Sequence, residues 1–203
     1  AWAGGVKALL CPIALTAPES LPRILDLRQK FSWISAAAGI HPHQAKDFSP
    51  SHLETIRKLA KSGEIAAVGE IGIDHHYNYS PAFVQAEVFR AQLRLAQELE
   101  LPVVVHSRDA GNEILAAVEE ERFNCGGVLH CYTEDRETAE RMIGLGFFVS
   151  FSGILTYPNA SKLREVAAAV PLVKIIVEPD SPYLVPLPLR GLKKRIQPLF
   201  VLE

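Results

Sequence analysis

Seven apolar runs of strand length alternate with amphipathic helical runs, and they predict an α/β fold: a (β/α)8 barrel of the TIM type, incomplete by one strand. Three observations carry this expectation. The candidate strands are nearly continuous in Val, Ile, Leu and Ala, as strands covered on both faces of a parallel sheet are. Strand and helix alternate through the whole chain. Polar residues able to bind a metal stand at the C-terminal ends of most strands, and in a parallel barrel those ends converge on one rim. An open doubly wound sheet would share the alternation, but no glycine loop of the GxGxxG or P-loop kind is present.

The predicted strands cover residues 6–12, 33–40, 65–73, 102–106, 127–131, 147–151 and 174–178. Ser49-Pro50 opens a helix, with Ser as N-cap and Pro at the first helical position, and Gly63 stops it after Lys61. Ser80-Pro81 repeats that start signal for a helix over 81–100, where Val84, Val88, Leu95 and Leu99 form one apolar stripe and Arg94, Gln97 and Glu98 face outward. Further helices are predicted over 21–30, 112–121, 136–144 and 161–169. No low-complexity linker interrupts the series, so residues 1–203 read as one domain.

Composition narrows the function. The 203 residues are 48% hydrophobic and 22% charged, the balance of an ordinary globular chain. No apolar stretch is long enough to span a bilayer, and residues 1–5 do not read as a signal peptide. A cytoplasmic protein is expected, or a nuclear one in a eukaryotic source. The net charge of −2 argues against a broad electrostatic nucleic-acid surface, so any such contact must be local. Cys11, Cys125 and Cys131 show no CxxC spacing and read as reduced thiols.

The chemistry sits at the strand ends. One run enters His41-Pro42-His43, the next Glu70, and the following ones His106, His130 and Glu178-Pro179-Asp180. Glu70, His106 and His130 are successive βα steps apart, and Asp180 lies two steps further on. The run between them ends in Ser152-Gly153 instead. Two imidazoles and two carboxylates brought together make a mixed nitrogen and oxygen site for Zn, Mn or Mg. A carboxylate such as Glu70 can bridge two ions about 3.5–4 Å apart, the layout used for phosphoester hydrolysis. A single histidine after an apolar strand is more often a structural residue, and Asp109 could merely cap a helix. Four such residues at separate strand ends point to a shared site.

At these residues the sequence resembles the TatD family of metal-dependent deoxyribonucleases, within the amidohydrolase-like barrels. The matching segments are Gly39-Ile40-His41-Pro42-His43, Val68-Gly69-Glu70-Ile71-Gly72-Ile73-Asp74, Leu101-Pro102-Val103-Val104-Val105-His106-Ser107-Arg108, Leu129-His130-Cys131-Tyr132 and Glu178-Pro179-Asp180-Ser181-Pro182-Tyr183-Leu184. The resemblance implies two divalent ions (Mg, Mn or Zn) and a DNA substrate. Glu70 would bridge, His106 and His130 would hold one ion, and Asp180 would bind the other and help activate the attacking water. His41 and Arg108 match positions near the substrate phosphate. The alternative for Arg108 is a rim salt bridge with Asp109 or Glu70, and for His41 a core position.

Three departures stand out. Nothing before Val6 matches the family's opening strand with its His-x-His ligand pair, so the chain reads as truncated at its N-terminus. The family's Glu-Thr-Asp is Glu178-Pro179-Asp180 here, and Pro179 restricts how Asp180 is aimed. The family's Arg-Asn-Glu-Pro appears as Arg195-Ile196-Gln197-Pro198, and the chain stops short of the family's C-terminal helices. The basic run Arg190-Gly191-Leu192-Lys193-Lys194-Arg195 would suit a phosphate backbone, or be a solvated tail. The leading function is hydrolysis of DNA phosphodiesters by metal-activated water. The rivals are a barrel hydrolase of amides or esters and a non-catalytic paralogue. No obligatory protein partner is expected.

Overall fold

The computed structural model describes residues 6–180 and 184–187. Seven strands form one parallel sheet in sequential order: β1 (Leu9–Ala14), β2 (Ile34–Gly39), β3 (Ala67–Asp74), β4 (Val103–Arg108), β5 (Gly127–His130), β6 (Phe147–Phe151) and β7 (Ile175–Val177). Helices α1 (Ser20–Lys30), α2 (Pro50–Lys61), α3 (Ala82–Glu98), α4 (Gly111–Glu120), α5 (Arg136–Gly144) and α6 (Ser161–Ala169) make the crossovers that parallel neighbours require. The sheet curves as a half-barrel. Among the described residues β1 pairs only with β2, and β7 only with β6.

The apolar pattern sorts into two layers. Ile71, Ile73, Val103, Val105 and Leu129 belong to the large core beneath the helices, with Phe89, Leu93, Ile114 and Met142. Ala37, Ala67 and Val104, with Val128 against them, form a small cluster on the other face, the inner floor of the half-barrel. Side chains alternate along a strand. Two residues beyond Val104 and Val128 on that inner face come His106 and His130, which pair in register. The polar residues therefore stand one layer above an apolar floor.

The predicted elements differ from the observed ones mainly at their ends. The strand expected over 6–12 is Leu9–Ala14. Pro12 reads as a terminator, yet an edge strand accommodates a residue without an N–H. The helix predicted from Ser49-Pro50 is as expected, with a full capping box in which His52 supplies the N3 side chain. Ser80 is not an N-cap. It is buried, and its hydroxyl accepts from Lys46 N (3.1 Å) and donates to His43 O (2.9 Å). A short 3-10 helix, Pro42–Asp47, was not anticipated. The three cysteines are free thiols. No helix among the described residues is long and apolar enough to cross a membrane.

Candidate metal centre

Glu70 reaches the centre through a break in strand register. Gly69 lies opposite Val104 and Ile71 opposite Val105, so Glu70 is an extra residue without a partner on β4. An inserted residue of this kind re-aims its side chain and is common beside active sites. The Glu70 carboxylate meets three imidazoles from three different segments: His106 Nδ1 at 3.0 Å, His41 Nε2 at 3.4 Å and His130 Nε2 at 3.7 Å. Burial works to raise its pKa, but the hydrogen bonds from His106 and His41 and the charge of His130 hold it well below the usual carboxylate range.

His41 follows β2 in extended backbone and caps the 3-10 helix, its Nδ1 accepting from His43 N at 3.1 Å. The tight turn brings His43 back beside it, with ring centroids 4.4 Å apart. Donor atoms of His41, His43 and His106 all lie within 4.8 Å of one another, a group able to hold a metal ion.

His106 and His130 are each backed by a carboxylate. Asp74, fully buried, accepts from His106 Nε2 (3.0 Å) and His43 Nε2 (2.8 Å), while its other oxygen accepts the N–H groups of His76 and Tyr77. Glu178 meets His130 Nδ1 at 2.5 Å and accepts from Cys131 N. A carboxylate behind one ring nitrogen fixes the ring so that the opposite nitrogen faces Glu70, the arrangement by which outer carboxylates orient metal-binding imidazoles. Burial lowers the pKa of His130, yet its bonds with Asp180 and Glu178 outweigh this and raise it to about 11. His106 is also raised, by Asp74 and Glu70 against the effect of burial. His43 is lowered by burial despite Asp74.

Glycine permits the close packing that this geometry needs. Gly72, at φ +148°, lies against His106, and a Cβ there would come within 1.9 Å of the His106 carbonyl oxygen. Two buried glutamines of α3 fasten the strand ends. Gln92 accepts from Ile40 N (2.7 Å) and donates to Ile40 O (3.1 Å), one residue before His41. Gln85 does the same for Asp74, accepting from its N at 2.8 Å and donating to its O at 3.1 Å.

The sequence-predicted residues thus come together. Glu70, His106 and His130 form the centre, and Asp180 joins at its margin, with Oδ1 3.5 Å from His130 Nε2 despite Pro179. His41 stands among the imidazoles rather than in the core. Arg108 makes no ion pair with Asp109 or Glu70 among the described residues; its guanidinium lies 5.5 Å from the centroid of the Tyr77 ring. Asp109 is exposed and is not the cap of α4, a position taken by Ala110. His43, Asp74 and Glu178 were not assigned from sequence, although each sits inside a matching motif. The His-x-His spacing of His41 and His43 was the available signal for the first. The expected features at Ser181-Pro182-Tyr183, 190–195 and 195–198 lie outside the described residues.

The donor set fits a divalent cation: carboxylate oxygens and imidazole nitrogens converge from β3, β4 and β5 and from the segments after β2 and β7, over an apolar floor. A parallel half-barrel bearing such a set on its C-terminal rim defines a metal-dependent hydrolase of barrel type. The chain belongs to the TatD family, since the model for TatD related DNases matches residues 2–203. YcfH of Escherichia coli (strain K12), named as an uncharacterized metal-dependent hydrolase, is 44% identical over 190 residues, covering 93% of this chain and 70% of that protein. A 3'-5' ssDNA/RNA exonuclease TatD of Klebsiella pneumoniae (strain 342) is 36% identical over 198 residues, covering 96% of this chain and 73% of its own length. Among solved structures, the TatD homologue YJJV of Escherichia coli K12 superposes with a TM-score of 0.83 at 30% identity, covering 93% of this chain and 73% of its own.

Proposed function

We propose that this member of the TatD family is a deoxyribonuclease that cleaves phosphodiester bonds with metal-activated water. The observation that carries the reading is the Glu70 carboxylate in contact with three imidazoles from separate strand ends, with an Arg108 guanidinium that no carboxylate among the described residues neutralises. The family description and the name of the Klebsiella relative support a nucleic-acid substrate.

Glu70, His106, His130 and Asp180 would hold the divalent ions (Mg, Mn or Zn), two in the full reading, with His41 and His43 as further donors. Bound there, such ions supply a lowered pKa for water and Lewis acidity at a phosphoryl oxygen. The chain's own residues do the rest. Asp74 and Glu178 orient the imidazoles. Asp180, at the margin of the centre, can take the proton of the attacking water. Arg108 presents fixed donors suited to phosphate oxygens and stabilises the charge that grows on them. His41 lies close enough to Glu70 to help orient a phosphate bound there.

The test is turnover. With Mg or Mn, the protein should shorten an end-labelled DNA oligonucleotide and leave amide substrates intact, and Glu70→Gln should abolish the reaction. Hydrolysis of amides without phosphodiesters would move the assignment to another barrel hydrolase. Metal uptake with no turnover of either would favour a non-catalytic paralogue.

A further inference from the structure

The loop joining β3 to α3 is fixed at both ends and by its own backbone. Asp74 accepts the N–H groups of His76 and Tyr77, each at 2.9 Å. Asn78 turns the chain in the left-handed region at φ +49°, a conformation that asparagine tolerates. Ser80 is buried and bonded to His43, and the Gln85 amide donates to Ser80 O at 2.8 Å. Between these anchors, Tyr77 and Tyr79 remain 46% and 56% exposed. Their rings stack, with centroids 5.5 Å apart and planes within 8°.

A purely structural pair of rings would gain by burial, and this one is held out to solvent by a pinned loop. It also adjoins the metal centre. The His43 ring meets Tyr77 edge-on at 5.4 Å and Tyr79 at 4.8 Å, and the same His43 lies 4.4 Å from His41. The Arg108 guanidinium sits over Tyr77 at 5.5 Å. Exposed aromatic rings interleaved with a cation, next to a phosphodiester site, are what recognition of unpaired bases requires: the rings take a base face and the cation the backbone.

We propose that Tyr77 and Tyr79 form a stacking platform for a nucleobase of a single-stranded nucleic acid, with Arg108 contacting the adjoining phosphate. This rests on the phosphodiester reading above and adds the residues that would hold a base beside the cleaved linkage. A base in a duplex has both faces occupied, so the platform selects single strands. Because the loop is already ordered, little conformational freedom is lost on binding.

Fluorescence anisotropy of a 5'-labelled, phosphorothioate-linked thymidine oligonucleotide in MgCl2 tests it, beside the same oligonucleotide carrying abasic sites near its 3' end. The full chain is compared with Tyr79→Leu, the double variant Tyr77→Leu/Tyr79→Leu and Tyr79→Phe, with circular dichroism confirming equal folding. Tyr79→Leu should weaken binding of the intact oligonucleotide roughly 10-fold. Tyr79→Phe, which keeps the stacking face, should bind as the parent does. The abasic oligonucleotide should bind the parent and the leucine variants alike. If the leucine variants keep the parent's preference for intact over abasic strands, the platform is wrong and the nuclease reading stands. If the parent binds neither oligonucleotide, both fall together.

Discussion

The two flanks of the candidate metal centre are built in different ways. On the β2–β4 side, backbone is fastened to backbone through helix α3: Gln92 holds Ile40 just before His41, and Gln85 holds Asp74. Asp74 then fixes two imidazoles and two N–H groups with one fully buried carboxylate. On the β5–β7 side the strands are short, four residues in β5 and three in β7. There Cys131 and Asp180 both sit at φ +45°, and the bracing comes from Glu178 on His130 and Cys131. One flank is held by secondary structure and amide clamps, the other by side-chain charge. Glu70 is the residue they share. Donor placement matters because losing the outer partners that orient metal ligands typically costs about 10- to 100-fold in affinity.

The largest expected effect follows from that shared position. Glu70→Gln removes the charge on which His41, His106 and His130 converge, and hydrolysis should fall by more than about 100-fold, measured as kcat on an oligonucleotide. An active Glu70→Gln protein would mean that the flanks work independently.

Next come the two backing carboxylates. Asp74→Asn and Glu178→Gln should each weaken divalent metal binding by roughly 10- to 100-fold, read by calorimetric titration. The flanks should separate in a second readout. Asp74→Asn should also lower the melting temperature, since that carboxylate accepts four hydrogen bonds in a fully buried position, whereas the partly exposed Glu178 should cost less stability. Equal losses of stability would erase the distinction.

The clamps can be tested alone. Gln92→Leu leaves the buried N–H and C=O of Ile40 without their partner, and should cost about 1–3 kcal/mol of folding stability in denaturant titration. The smallest effect is expected at a helix cap that bonds to none of the metal-binding groups. Asp135 caps α5 through Thr138 N at 2.8 Å, and Asp135→Ala should cost about 1 kcal/mol while leaving metal affinity unchanged.

Much of this was legible in the sequence. The alternation of Val- and Ile-rich runs with amphipathic helices pointed to a parallel sheet, and the expected strand-end positions of Glu70, His106, His130 and Asp180 pointed to one rim, although Glu70 lies inside β3. What could not be read depends on pairing between strands. The extra residue at Glu70 is visible only as a shift of β3 against β4. Gln85 and Gln92 look like surface polar residues in helical periodicity, and are buried because strand ends leave N–H and C=O groups that need partners. The place of His43 depends on the 3-10 turn that starts at Pro42 and folds this imidazole back beside His41, a turn that strand and helix periodicity do not show. Ser80 was misread as a helix cap because its neighbour is proline, a start signal that tertiary bonding to His43 and Lys46 overrides.

The most direct measurement is the metal content of purified protein by elemental analysis after dialysis against Mn or Zn, with His106→Ala and Glu70→Gln beside His52→Ala. His52 lies in the capping box of α2, where its Nδ1 accepts from Ser49 N, and serves as the control. Bound metal should be retained by the parent and by His52→Ala and lost from His106→Ala and Glu70→Gln. Equal metal content in all four proteins would show that the ion is held elsewhere and would contradict the assignment of this centre.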